Sequence, residues 1–207
     1  QFNNTEHAAN LFGLKEFGNI YSRLGNPTVG ALEARLTALE EGAMCVALSS
    51  GTSAVMYSLI NIMSQGDNFV TANQLYGGTY TMFDNILPEY GINSKKVDIT
   101  DLEAVEAAID EKTRAIYCET ITNPGLVVAD ISALADIAHS KGIPLIVDAT
   151  FTTSAILKPF EYGADIVVYS LTKWMSGHGR VIAGAVIEKG GFDWGNGNFP
   201  LYDKPDT

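Results

Sequence analysis

The sequence predicts an α/β fold in which a mostly parallel sheet is covered by helices on both faces. Three observations carry that expectation. Short strand-like runs alternate with helical patterns along the chain, the order that successive βαβ units require. Several of those runs, such as residues 143–147 and 164–169, are nearly continuous in apolar residues, as strands covered on both faces are. The chain also has 207 residues, 46% apolar and 18% charged, which is enough for one well-buried core of this kind.

The elements follow in order. Pro27 at a helix start, Leu32, Leu36 and Leu39 on one face, and Gly42 at the stop predict a first amphipathic helix. Strands are predicted at residues 43–48, 68–72, 115–119, 143–148 and 165–169, with helices between them. Thr100 and Glu103 read as a capping box, and another helix ends at Lys141-Gly142 with Pro144 just beyond. The acidic group Asp98, Asp101, Glu103 and Glu106 reads as a solvated helix start that complements the dipole. Residues 190–200, rich in Gly and Asn and ending in Pro, read as a surface loop. Residues 1–42 are thus expected to form an N-terminal arm and first helix, and residues 43–207 an α/β domain. The non-Met start and the loop before Thr207 lead us to expect a further C-terminal domain and a short preceding segment.

Composition excludes several function classes. A net charge of −11 argues against wrapping nucleic acid, which needs clustered Lys and Arg. No window approaches the ~20 apolar residues of a membrane span, and no signal peptide opens the chain, so a cytoplasmic protein is expected. Cys45 and Cys118 lie inside apolar runs, which reads as buried, reduced thiols. His7, His139 and His178 show no ligand spacing, and no metal is expected.

The chemistry concentrates where predicted strands end. Ser170-Leu171-Thr172-Lys173 places one lysine between hydroxyl donors at the end of the run 164–169. Asp148 ends the run 143–148 and would project from the same sheet edge, where open α/β folds bind ligands. Lysine, hydroxyls and carboxylate together suit pyridoxal phosphate: an amine to bond the aldehyde, hydroxyls for phosphate oxygens, a carboxylate for the pyridine nitrogen. Ser49-Ser50-Gly51-Thr52-Ser53 lacks the lysine and glycine spacing of the familiar nucleotide loops. It reads either as a plain Ser N-cap or as a helix start whose N–H groups hold a phosphate.

A family resemblance runs through these motifs. Residues 165–179, Asp-Ile-Val-Val-Tyr-Ser-Leu-Thr-Lys-Trp-Met-Ser-Gly-His-Gly, resemble the lysine signature of the Cys/Met-metabolism pyridoxal-phosphate enzymes. Tyr21-Ser-Arg23-Leu-Gly-Asn26-Pro27-Thr28, Ser50-Gly51-Thr52, Leu75-Tyr76-Gly77-Gly78-Thr79, Glu119-Thr-Ile-Thr-Asn123-Pro124 and Asp148-Ala-Thr150 resemble the family's other motifs, in order, over nearly the whole chain. The resemblance implies the large cofactor-binding domain of fold-type I, aspartate aminotransferase-like enzymes.

Residue by residue, the resemblance implies that Lys173 bonds the cofactor and moves protons at the substrate α and β carbons, while Asp148 pairs with the pyridine nitrogen. Gly51, Thr52, Ser170 and Thr172 match the phosphate cradle. Tyr76 would stack on the ring and assist in proton handling, and Asn123 would lie near the phenolic oxygen, with Thr150 beside Asp148. Glu119 is read either as a polar support for the site or as a plain strand end before an Asn-Pro turn. Tyr21 and Arg23 match a pair that reaches the phosphate of a neighbouring subunit, so a homodimer or homotetramer with a shared site is expected. His178 is expected to be structural.

Two positions depart from the family pattern. Ala149 stands where many members have Asn, which would remove a polar contact near the cofactor, and Arg180 stands where a small or hydroxyl residue is usual, at the expected cofactor entrance. Phe192-Asp193-Trp194 with Gly197, Phe199 and Pro200, and the entry segment His7-Ala-Ala-Asn-Leu-Phe12, resemble the O-acetylhomoserine sulfhydrylase branch. That branch implies γ-replacement: an amino-acid substrate, O-acetylhomoserine, meets sulfide or a thiol to give homocysteine and acetate. Methionine γ-lyase and cystathionine γ-synthase chemistry share the same cofactor residues and stay open at this point. So does a catalytically silent cofactor-binding fragment, since the family's arginine for the substrate carboxylate falls outside these residues.

Overall fold

The computed structural model describes residues 2–202. An opening helix that the sequence reading missed, α1 (Thr5–Phe12), is capped by the Asn4 side chain, which accepts the His7 N–H. Helix α2 (Pro27–Glu40) begins as expected, with Asn26 accepting the N–H groups of Thr28 and Val29. Its stop falls one residue early, because Glu41 rather than Gly42 takes the left-handed conformation. The predicted apolar face is only partly used. Leu36 is buried beside Glu40, while Leu32 and Leu39 stay exposed, because the face turned to the sheet is that of Glu33, Leu36, Thr37 and Glu40.

The chain then runs through β1 (Met44–Leu48), α3 (Gly51–Ile60), β2 (Asn68–Ala72) and α4 (Gly77–Thr81), which continues as a π turn and a 3₁₀ turn to Tyr90. There follow β3 (Asn93–Val97), α5 (Leu102–Ala108), β4 (Thr113–Glu119), α6 (Ile131–Ser140), β5 (Leu145–Asp148), α7 (Thr153–Ile156), β6 (Ile166–Ser170) and β7 (Gly184–Glu188). All seven strands form one sheet in the order β1-β7-β6-β5-β4-β2-β3. Every pairing from β6 across to β3 is parallel, and β7 alone runs against its neighbours β1 and β6.

Successive side chains of a strand point to opposite faces, so an unbroken run of buried residues means that both faces are covered. That is the state of β2, and nearly that of β4, β5 and β6. A chain of edge-to-face rings, Phe69–Phe83–Tyr117, joins β2 and β4 to the π turn at centroid distances of 4.7 and 5.2 Å. Cys45 and Cys118 are both free and buried, and burial pushes each thiol up to about 12.

Two strands went unread. The edge strand β3 is Asn-Ser-Lys-Lys-Val, and charged residues that suit a sheet edge hide it from an apolar search. The other, β7, is plainly apolar, Gly-Ala-Val-Ile-Glu, and could have been found. The expected capping box also fails. Asp101 caps α5 by accepting the Ala104 N–H, whereas Thr100 donates its hydroxyl to Asp98. Glu106 pairs instead with Lys141 at 2.8 Å. The stop at the end of α6 holds, with Gly142 left-handed at φ 67°.

No helix among the described residues is long and apolar enough to cross a membrane.

Candidate active site

Because β4, β5 and β6 are parallel and in register, Glu119 lies opposite Asp148, and Ser170 ends the next strand along. Their C-terminal ends form one edge of the sheet. A cavity of about 670 Å³ opens on that edge, and Lys173, Asp148, Tyr76, Gly51, Thr52, Ser170, Thr172, Thr150 and Asn123 all line it, with Glu119 among them. Nine of the eleven residues singled out from the sequence for cofactor binding or catalysis therefore converge on one pocket.

Lys173 follows β6, and its N–H donates to the Ser170 carbonyl at 3.2 Å. No carboxylate pairs with its ammonium among the described residues. A lysine free of partners at a pocket wall is available as a nucleophile. On the same pocket wall, Asp148 is held at both oxygens: Oδ1 accepts the Thr150 N–H at 2.9 Å, and Oδ2 accepts the Tyr117 hydroxyl at 3.3 Å. Burial raises the Asp148 pKa, against a downward pull from Thr150. A half-buried carboxylate whose charge is disfavoured in this way gains from the arrival of a cation.

The end of the pocket expected to take a phosphate is built from α3 and β6. Ser50 caps α3 by accepting the Ser53 N–H, so the plain cap reading holds. Capping leaves the N–H groups of Gly51 and Thr52 among those a helix cannot pair internally, and both residues line the pocket. The phosphate reading is therefore compatible with the cap. A side chain at position 51 would place its Cβ 2.4 Å from Cβ of Ser170, so only glycine lets the helix start approach the end of β6. Ser170 is tied back by its own N–H, which donates to Thr150 Oγ1 at 2.7 Å. The Thr172 hydroxyl, by contrast, donates to the Ala183 carbonyl and accepts the Ala183 N–H, both at 3.2 Å. As a phosphate donor it would have to exchange that partner.

Tyr76 stands where the chain turns from β2 into α4, half exposed on the pocket wall. Its ring folds back over Gly78, where a Cβ would lie 2.6 Å from the ring. That glycine is what leaves the aromatic room. Glu119, 5% exposed, accepts the N–H of Tyr76 at 2.7 Å and that of Asn123 at 2.9 Å. Burial is the main reason its pKa rises to about 7.

One expectation needs correction. Ala149 is fully buried and does not line the pocket, so its small side chain removes no contact there. Arg180 is exposed and lies in the chain between Gly179 and Ile182, which both line the pocket. Phe192, Trp194, Phe199 and Tyr202 form an aromatic cluster, with Trp194 at 4.6, 5.1 and 5.6 Å from the other three rings. Tyr202 bonds Asn61 just past the end of α3, and Asn196 bonds the Gly142 carbonyl before β5. This cluster sits beside the C-terminal end of α3, whereas the pocket is lined by residues of its N-terminal half. These aromatic residues thus brace the fold and do not line the pocket.

Tyr21 and Arg23 lie outside the pocket. Both are exposed, and the Arg23 guanidinium donates to the Tyr21 hydroxyl at 2.7 Å while standing 5.2 Å from its ring centroid. His178 lies in a turn between left-handed Gly177 and Gly179 and does not line the pocket. No cluster of three or more potential metal ligands occurs among the described residues.

The sequence model described as Cys/Met metabolism PLP-dependent enzyme matches residues 1–201. The chain belongs to this family. An O-acetyl-L-homoserine sulfhydrylase of Leptospira meyeri is 47% identical over 205 residues, which is 99% of this chain and 46% of that protein. A Campylobacter jejuni structure described as an O-acetylhomoserine (thiol)-lyase, carrying a pyridoxyl-lysine monophosphate, superposes with a TM-score of 0.95 at 41% identity, over 100% of this chain and 52% of that one. A cystathionine γ-lyase of Lactobacillus plantarum superposes with a TM-score of 0.79 at 42% identity, over 82% of this chain and 44% of that one. The chain therefore spans about half the length of its relatives in the Cys/Met-metabolism family, 46% in the Leptospira case.

Proposed function

We propose that this chain holds pyridoxal phosphate in the pocket through Lys173, and that the intact protein replaces the acetate of O-acetylhomoserine with sulfide or a thiol, giving homocysteine from sulfide. The observation that carries the reading is an unpaired lysine and a half-buried carboxylate lining one pocket, together with the N-terminus of α3. Those donors fit the cofactor: Lys173 for the aldehyde, Asp148 for the pyridine nitrogen, and Gly51, Thr52 and Ser170 for phosphate. When bound, pyridoxal phosphate supplies an electron sink that makes negative charge at the substrate α and β carbons bearable. The rest falls to the chain. Asp148 would keep the ring nitrogen protonated, Tyr76 would pack against the ring, and Lys173 would hold the cofactor and move protons at the substrate carbons. Buried thiols on β1 and β4 suit a reducing compartment, and we place the protein in the cytoplasm.

The sulfhydrylase branch is supported by the Leptospira and Campylobacter relatives and is tested by product analysis. Intact protein given O-acetylhomoserine and sulfide should form homocysteine with a kcat/KM at least about tenfold above that for methanethiol release from methionine, a difference of about 1.4 kcal/mol in transition-state binding. Preference for methionine elimination would assign the lyase chemistry instead. Faster use of cysteine than sulfide would assign the cystathionine synthase chemistry, and no turnover despite bound cofactor would leave the silent reading standing.

We also propose that Tyr21 and Arg23 serve a neighbouring subunit's phosphate, since they are exposed, held together and outside their own pocket. Arg suits the task because its planar fork engages phosphate at two points. Arg23→Ala should weaken cofactor retention. When Arg23→Ala and Lys173→Ala proteins are dissociated and reassembled together, some sites carry neither defect and activity should partly return. Mixed oligomers verified by mass with no recovery would show that the site is not shared.

A further inference from the structure

Glu119 ends β4 and is almost wholly shut from solvent, yet it is a carboxylate. Its two oxygens serve different loops: Oε1 accepts the Tyr76 N–H and Oε2 the Asn123 N–H. Tyr76 enters α4 without a side-chain cap, so its backbone is anchored here by Glu119. Asn123 lies four residues beyond Glu119 on the opposite loop. Both side chains line the pocket. We propose that Glu119 is a positioning residue that sets Tyr76 and Asn123 around the cofactor ring by accepting both backbone N–H groups at once. The assignment rests on the pocket being the cofactor site. Glutamine cannot replace it, because an amide offers one accepting oxygen and turns a donor toward the second N–H.

The same geometry gives the tie a pH dependence. Burial raises the Glu119 pKa to about 7, Asp148 adds to the rise, and the two N–H donors oppose it. The titratable groups around it are Asp148 opposite on β5, Tyr117 and Cys118 on its own strand, the Tyr76 phenol, and Lys173 elsewhere on the pocket wall. Protonation turns one accepting oxygen into a hydroxyl and loosens one loop. Because the folded pKa is raised above that of the unfolded chain, protonation also relieves the cost of a buried charge. That stabilisation is full below about pH 4.5 and is lost as pH rises through about 7. Cofactor retention and overall stability should therefore move in opposite directions as pH falls below 7.

The test measures the pyridoxal phosphate dissociation constant of the intact protein at pH 8 and pH 6 in wild type, Glu119→Gln and Glu119→Asp, and again in a Tyr76→Ala background. Loss of a charge-assisted backbone hydrogen bond predicts a Kd about tenfold higher at pH 8 for both Glu119 variants. The wild-type rise in Kd between pH 8 and 6 should flatten in Glu119→Gln, and the Glu119→Gln effect should shrink once Tyr76 is gone. A Kd within twofold of wild type, or an equal effect with and without Tyr76, overturns the proposal. Hydrogen exchange on the wild-type apoprotein needs no variant: the Tyr76 and Asn123 amides should exchange more slowly than those of Gly77 and Gly125, and equal rates would also overturn it. Borohydride labelling of wild type keeps the two readings apart. No label on Lys173 sinks the cofactor assignment and this one with it, whereas a labelled Lys173 beside an unaffected Glu119→Gln sinks the positioning role alone.

Discussion

Lys173→Ala is expected to abolish covalent attachment of pyridoxal phosphate and to lower kcat/KM by at least about 10⁴-fold, the upper range for one positioned acid–base group. On the proposed function the lysine would do two jobs, bonding the cofactor and moving substrate protons, so no neighbour could cover for it. Its ammonium has no carboxylate partner among the described residues, and it stands on the pocket wall beside Ser170 and Thr172. Its side chain is exposed, so removing it should leave the fold intact, with an unchanged far-UV spectrum and melting temperature. Borohydride reduction followed by peptide mapping of the intact protein is the direct check. A phosphopyridoxyl group on any other lysine would falsify the assignment.

Asp148→Asn is expected to lower kcat by roughly 10²–10³-fold, the usual cost of removing one preorganised electrostatic partner from a site. Its effect on stability should have the opposite sign. Burial raises the Asp148 pKa in the folded chain, so the carboxylate is favoured less here than in the unfolded chain. A group of that kind contributes stability below its unfolded pKa and loses it as pH rises through the folded value. At pH 8 the apoprotein of Asp148→Asn should therefore melt no lower than wild type, because a neutral amide keeps the contacts to Thr150 and Tyr117 without the half-buried charge. Cofactor binding should narrow or reverse that difference, since a protonated pyridine nitrogen favours the carboxylate. Melting curves of both proteins with and without pyridoxal phosphate check the sign, and a clear destabilisation of the variant apoprotein would contradict the account.

The two positions show how local the legible part was. Lys173 and Asp148 could be read because each follows an apolar run, and a parallel sheet brings the C-terminal ends of its strands to one edge. Gly51 and Thr52 were readable for the same reason, as the turn from a strand into a helix. The strands β2, β4, β5 and β6 announced themselves by buried, branched residues. Where a residue's role was set by side-chain orientation or by a distant neighbour, sequence reading had less purchase. Ala149 follows Asp148 directly, yet successive side chains diverge, and it enters the core while Asp148 lines the pocket. The Phe192–Trp194 stretch resembles a branch of the family, yet its aromatic cluster packs beside the C-terminal end of α3 and does not line the pocket.

The alternating α/β architecture, the family, and the candidate lysine, carboxylate and helix-start residues that the pocket gathers were all legible in the chain, because these depend on hydrophobic period and on motifs a few residues long. Tertiary structure alone decided which of those residues meet, and it decided the role of Glu119. The N–H groups that Glu119 accepts are 43 residues before it and 4 after it in the chain. Only the parallel pairing of β2 with β4 brings the Tyr76 loop within reach of that carboxylate. A buried charge that must satisfy both its oxygens does so through whatever donors the packed chain delivers, and no pattern of neighbouring residues records which those are.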